Sequence, residues 1–154
     1  MDEPNRKPLT SAENRERRLS LHAAEMRTLE MIIDGASLTD VLNQLCVAID
    51  CEVSPSKTVI LLLDPDGKRL WPRAGPEISP DWIRAISPLP VAPEIGLCGT
   101  AASLKTCVIV EDVATEPHWR YEEHRKLALK CGIRSAWSQP ILTKDKEVLG
   151  TFAV

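Results

Sequence analysis

Two short turns constrain this chain more than any other feature. Asp64-Pro65-Asp66-Gly67-Lys68 separates the apolar run 57–63 from Arg69-Leu70-Trp71-Pro72-Arg73-Ala74. Proline presets φ and glycine supplies a positive φ, so the segment reverses the chain and its flanks pair as a hairpin. Pro72 suits an edge, where a missing N–H costs no ladder bond. Thr143-Lys144-Asp145-Lys146-Glu147 makes the same kind of reversal between strands expected at 134–142 and 148–154.

Helical patterning occupies most of the rest. Residues 12–35 hold no proline and no glycine before Gly35, and good helix formers dominate. Leu19, His22, Met26, Leu29 and Ile33 recur at steps of three and four, a seam of about two heptads. Two readings of that seam stand side by side: a helix packed on its own domain, or a parallel coiled-coil arm joining two protomers. Gly35 stops the helix. Ser37 reads as the N-cap of a second, with Asp40 three residues on and Leu38, Val41, Leu42, Leu45 and Ile49 on one face, ended by Ser54-Pro55-Ser56.

Ser79-Pro80-Asp81 opens a short helix through Trp82 and Ile86, followed by an extended stretch with Pro88, Pro90 and Pro93. Gly96-Leu97-Cys98-Gly99-Thr100-Ala101-Ala102 enters another short helix, and 107–110 reads as a strand. Thr115 is a candidate cap, with Pro117 in the first turn, for a helix over 118–130 that Gly132 stops. Hairpins plus segregated helices predict an α+β fold built on an antiparallel sheet.

At 154 residues the chain has room for one domain with a helical arm. A 44% hydrophobic, 27% charged composition excludes disorder throughout, and a net charge of −3 argues against a general nucleic-acid binder. No apolar run approaches the ~18–20 residues of a membrane span, and the polar start lacks a signal-peptide core, so the chain reads as cytoplasmic. The five cysteines are odd in number, form no C-x-x-C and are not spaced with the three histidines as a zinc site, so buried free thiols are expected. No metal or cofactor is called for. The sequence stops on the apolar Leu149-Gly150-Thr151-Phe152-Ala153-Val154, which reads as a fragment whose continuation is missing.

Gly96-Leu97-Cys98-Gly99-Thr100-Ala101-Ala102, Val108-Ile109-Val110-Glu111-Asp112, Ala136-Trp137-Ser138-Gln139-Pro140-Ile141 and Leu149-Gly150-Thr151-Phe152-Ala153 follow one another in the order seen in the GAF family. Over roughly 37–154 the chain resembles bacterial GAF domains attached to PAS sensors, histidine kinases and cyclic-di-GMP turnover enzymes. The resemblance implies a central antiparallel sheet, helices on one face and a small-molecule pocket on the other. It also implies a closing helix beyond the last strand. The domain plan is then a mobile tail over 1–12, a signalling or dimerisation helix over 13–36, and a GAF domain over 37–154 truncated before that helix.

The candidate ligand-binding residues are Trp82, Ile86, Gly96, Cys98, Gly99, Thr100, Asp112, Trp119, Trp137 and Ser138. Glycines admit close approach of a ligand or of neighbouring backbone, and indoles offer flat apolar walls. Asp112 reads either as a ligand acceptor or as a turn residue bonding local N–H groups. His118 and His124 fall in a charged helix and read as a solvated face rather than haem ligands.

Cys98 lies in a block like that of GAF enzymes that reduce free methionine-R-sulfoxide. The second cysteine of those enzymes would stand at Pro88, and Cys131 matches their third only loosely. The sequence therefore points to a sensory, non-enzymatic signalling module. It would form a homodimer and bind an unidentified small molecule that acts on an output domain. A Cys98-dependent oxidoreductase and a domain that only dimerises are the alternatives.

Overall fold

The computed structural model describes residues 10–116 and 121–154. Thr10 begins the first helix, α1 (Ser11–Ile33), with a capping box. Its hydroxyl oxygen accepts the Glu13 N–H, and the Glu13 carboxylate accepts the Thr10 N–H at 2.7 Å. The helix thus starts at Ser11 rather than 12 or 13. It closes with a return of the Ala36 N–H to the Met31 carbonyl around Gly35. Ser37 caps α2 (Leu38–Glu52) by accepting the Asp40 N–H.

Six antiparallel strands follow: β1 (Val59–Leu63), β2 (Arg69–Ala74), β3 (Leu89–Pro90), β4 (Val108–Val110), β5 (Ala136–Leu142) and β6 (Val148–Ala153). Their order in the sheet is β3-β2-β1-β6-β5-β4, which sets the first long strand against the last, with Val59 opposite Ala153. Both predicted hairpins are present, as β1–β2 and β5–β6. The architecture is the GAF-like α+β arrangement expected from the sequence, with α1 as an N-terminal helical arm.

Two details differ from the expectation. The proline-rich extended stretch contributes β3, where Leu89 pairs with Leu70 and the Val91 N–H reaches the Lys68 carbonyl. The charged helix, α5, spans Glu122–Lys130 with Tyr121 at its cap position, so Thr115 does not cap it. The Asp112 carbonyl accepts the Thr115 and Glu116 N–H groups and closes a separate turn there. Pro117 and His118 lie outside the described residues.

Alternation along β1 sorts the core into two faces. Thr58, Ile60 and Leu62 face α2: Thr58 Oγ1 donates to Asp50 Oδ1 at 2.6 Å, and Ile60 packs with the fully buried Cys46. Val59 and Leu61 face the other way, into the larger core with Leu70, Trp82, Ile86 and Leu97. Three short helices cover that second face: α3 (Pro80–Ala85), α4 (Gly96–Leu104) and α5.

The arm runs antiparallel to α2. Arg17 near its start lies 3.6 Å from Glu52 at the end of α2. The buried Thr28 and the half-buried Ala24 and Met31 mark its packed stripe. The predicted seam is a different stripe and points to solvent, with Leu19 62%, Met26 46%, Leu29 48% and Ile33 83% exposed.

Candidate functional site: a cavity between the sheet and three short helices

The second face of the sheet is not filled to its end. Where β1 begins and β6 finishes, a cavity of about 750 Å³ opens under α3, α4 and the C-terminal end of α5. That volume lies within the range of about 300–1,000 Å³ typical of small-molecule sites.

Each wall has a local cause. Trp82 comes inward from α3, which Pro80 starts at its first position. Its indole is 8% exposed and meets the His124 ring edge-on at 6.4 Å, while Tyr121 lies 5.3 Å from His124 on the outer side. This corrects the solvated-face reading of His124, which is half-buried and lines the cavity. Arg125 Nη1 and Nη2 donate to the Ala114 and Glu116 carbonyls at 2.9 and 2.7 Å, tying α5 to the turn before it.

At the end of α5, Gly132 at φ +83 lets the Ile133 N–H return to the Ala128 carbonyl. The chain then turns Ile133 and Arg134 toward the cavity.

Helix α4 supplies Gly96, Leu97 and Cys98. Gly99 lies behind them for a packing reason: a Cβ there would stand 2.4 Å from the Pro90 carbonyl oxygen. Close approach of β3 therefore requires glycine. Thr100 turns its hydroxyl back onto the Gly96 carbonyl at 2.7 Å.

Cys98 sits in a polar corner of the core. Ser138 Oγ donates to its sulfur at 3.5 Å, and both side chains are buried. The Thr151 hydroxyl, also fully buried, adjoins the same sulfur. Burial pushes the Cys98 thiol up in pKa, and the Ser138 and Thr151 hydroxyls offset this only in part. At neutral pH the group is a thiol, not a thiolate nucleophile.

The ten sequence candidates divide as follows. Trp82, Ile86, Gly96 and Cys98 converge on the cavity. Gly99, Thr100 and Ser138 form the layer behind Cys98. Trp137 borders the outer end of the cavity. Strand alternation nevertheless sends its side chain to the face opposite Ser138, with its ring 5.5 Å from that of Phe152. Asp112 is exposed outside the cavity wall, and its carboxylate accepts the Ala114 N–H at 2.9 Å. Trp119 lies outside the described residues.

Sequence reasoning missed Lys57, Ile78, Tyr121, His124 and Arg134 as lining residues. The signal for Lys57 was available, since it precedes Val59 by one strand period. Among the described residues no cluster of His, Cys, Asp and Glu is arranged to hold a metal ion. Nor is any helix among them long and apolar enough to cross a membrane.

A protein-family model described as GAF domain matches residues 35–154. The Methyl sulfide methyltransferase-associated sensor of Methanosarcina acetivorans is 36% identical over 132 residues, which is 85% of this chain but 13% of that protein's length. The GAF domain of an Acinetobacter phosphoenolpyruvate-protein phosphotransferase superposes with a TM-score of 0.62 at 18% identity, covering 88% of this chain and 75% of that one. The fRMsr of Staphylococcus aureus, solved in complex with substrate, gives 0.59 at 18% identity, covering 86% and 76%. At these identities the solved structures speak to fold.

Proposed function

Because the chain belongs to the GAF domain family, we propose that this sensory, regulatory module works by holding a small molecule in the cavity between the sheet and α3–α5. The carrying observation is the cavity itself: about 750 Å³, apolar-walled, closed by short helices and open at one end of the sheet.

A ligand signals only if it favours one of two conformers. The cavity offers a route for that preference. Its walls include Val53, at the end of α2, and Val59, whose strand continues to residues packed against α2. Helix α2 in turn carries α1. In this reading 37–154 sense, 13–36 relay, and an output domain elsewhere in a longer protein responds. The seam Leu19, His22, Met26, Leu29 and Ile33 joins two copies in a homodimer. Location in the cytoplasm and a role beside two-component or cyclic-di-GMP machinery belong to the same proposal.

Native mass spectrometry of freshly purified protein, beside a denatured control, tests it. A mass excess that disappears on denaturation is expected. A clean mass, together with no thermal shift across a small-molecule library, would contradict the proposal. Sedimentation velocity tests the dimer: Leu29→Glu should convert it to monomer, and a wild-type monomer at high concentration would end the idea.

One observation favours a second reading. Cys98 lines the cavity of a fold shared with fRMsr, so a thiol-dependent oxidoreductase is its natural form. Burial of the sulfur and Pro88 at the expected partner position weigh against it. Turnover of free methionine-R-sulfoxide that Cys98→Ser abolishes would establish this reading, and absence of turnover in the wild type would remove it.

A further inference from the structure

The charged residues of the cavity are out of character with the chain. The protein carries a net −3, yet the cavity is lined by two cations, Lys57 and Arg134, against one carboxylate, Glu111. Lys57 and Arg134 form no ion pair or hydrogen bond through their side chains among the described residues. Some other charged side chains pair locally, as Arg69 does with Asp64, Arg84 with Asp81 and Lys126 with Glu123.

Their placement follows from the fold. Lys57 shares the face of Val59 and Leu61, because Thr58 between them is committed to Asp50 on the opposite face. Arg134 is held by its backbone, whose carbonyl accepts the Val113 N–H at 2.8 Å just after the Gly132 closure of α5. β1 and β5 flank β6, so the two positions lie at the same end of the sheet on either side of that strand. Both side chains are exposed. Deeper in, the walls are Trp82, Ile86, Leu89 and Leu97, all buried and apolar.

We propose that the cavity selects an amphiphilic monoanion. Its aromatic or branched apolar body lies against Trp82 and Ile86, and one carboxylate, sulfonate or phosphate diester sits at the mouth between Lys57 and Arg134. This rests on the small-molecule reading above and adds the class of ligand. Counted over the lining side chains, two cations less one carboxylate leave a single positive charge, which one anionic group neutralises. The arginine fork suits a planar or tetrahedral oxyanion. The surplus charge at the mouth also raises the local concentration of anions over neutral analogues.

Two dyes with one skeleton test this: 8-anilinonaphthalene-1-sulfonate, and N-phenyl-1-naphthylamine, which lacks the sulfonate. Fluorescence titration is run on wild type, Lys57→Gln, Arg134→Gln, the double variant, and Lys144→Gln as a remote control. The sulfonate should bind more tightly than the neutral dye, and its advantage should shrink as salt rises. The double variant should weaken the sulfonate about tenfold and leave the neutral dye within about twofold. Lys144→Gln should change neither.

Equal affinity of the two dyes for wild type would overturn the charge assignment. So would equal weakening of both dyes in the double variant. In either case neutral-dye binding would still support the cavity. Failure of both dyes to bind folded wild type would overturn the cavity reading along with this one. Thermal melts of every variant establish that the folded state is what is titrated.

Discussion

The two faces of the sheet are closed in different ways. One is covered by α2, a single 15-residue helix that brings Cys46 into contact with Ile60 and Ala74. The other is covered by three helices of 6, 9 and 9 residues, and a cavity of about 750 Å³ remains where they meet. A long helix presents one continuous stripe, and its side chains interlock along the whole length of contact. Short helices joined by loops meet at angles, and the space between their ends is filled by side chains only if the sequence supplies large ones. Here the sequence supplies Gly96, Cys98 and Ala153 around that space. In this molecule the better-packed face is structural and the poorly filled one is the candidate site.

Each face also holds one buried thiol, and the pair makes the contrast measurable. Cys46, on α2, is fully buried, with its pKa raised to about 12 by burial and by the nearby Asp50 carboxylate. Cys98 is buried too, but it borders the cavity and its sulfur accepts a hydrogen bond from Ser138.

The largest expected effect removes the packing that supports the cavity. Leu61→Ala deletes a fully buried side chain from the cavity-side core and should cost about 3 kcal/mol in urea unfolding. A cost under about 1 kcal/mol would mean that this face is not packed as described. Next is Gly99→Ala, which forces a Cβ against the Pro90 carbonyl oxygen and should cost about 2 kcal/mol as β3 and α4 move apart. An unchanged melting temperature would place β3 away from α4.

The third prediction separates the faces by pH. A raised thiol pKa means that the folded state disfavours the thiolate. The stability held by Cys46 is therefore complete below about pH 9 and is lost as pH rises toward about 12. Cys46→Ala should flatten the fall in stability over that window relative to wild type. Parallel curves would show that the thiol titrates as though it were unfolded. The smallest effect is expected on the exposed part of the α2-side face. Ile109 is 68% exposed, so Ile109→Ser should shift stability by no more than about 0.5 kcal/mol. A larger loss would reveal a partner covering it.

The contrast also explains what the sequence made legible. The two long helices and the two hairpins rest on local signals: the Ser37 cap, the apolar face of α2, and turns that contain their own glycine or polar residues. The predicted seam of α1 lies on an exposed stripe, whereas the stripe that packs on α2 runs through Thr28, a residue with no strong hydrophobic signal. β3 was not legible because two residues carry no period, and its pairing with Arg69 and Leu70 is a tertiary event.

At the site, block resemblance pointed to Gly96 and Cys98 but could not tell lining from support. Gly99 answers to Pro90, and Thr100 answers to the turn behind it. Alternation along β5 could have separated Ser138 from Trp137, since neighbours on a strand face opposite ways. Alternation continued back from β1 could also have added Lys57. Gly132 marked the stop of α5 in the sequence, but that Arg134 then borders the cavity is a tertiary outcome.

Hydrogen–deuterium exchange with and without saturating N-phenyl-1-naphthylamine tests most directly whether the cavity face is the binding face. The account predicts the strongest protection in α3, in α4 and in residues 131–136, with a weaker response in the body of α2. Protection concentrated in α2, with the three short helices unchanged, would contradict it.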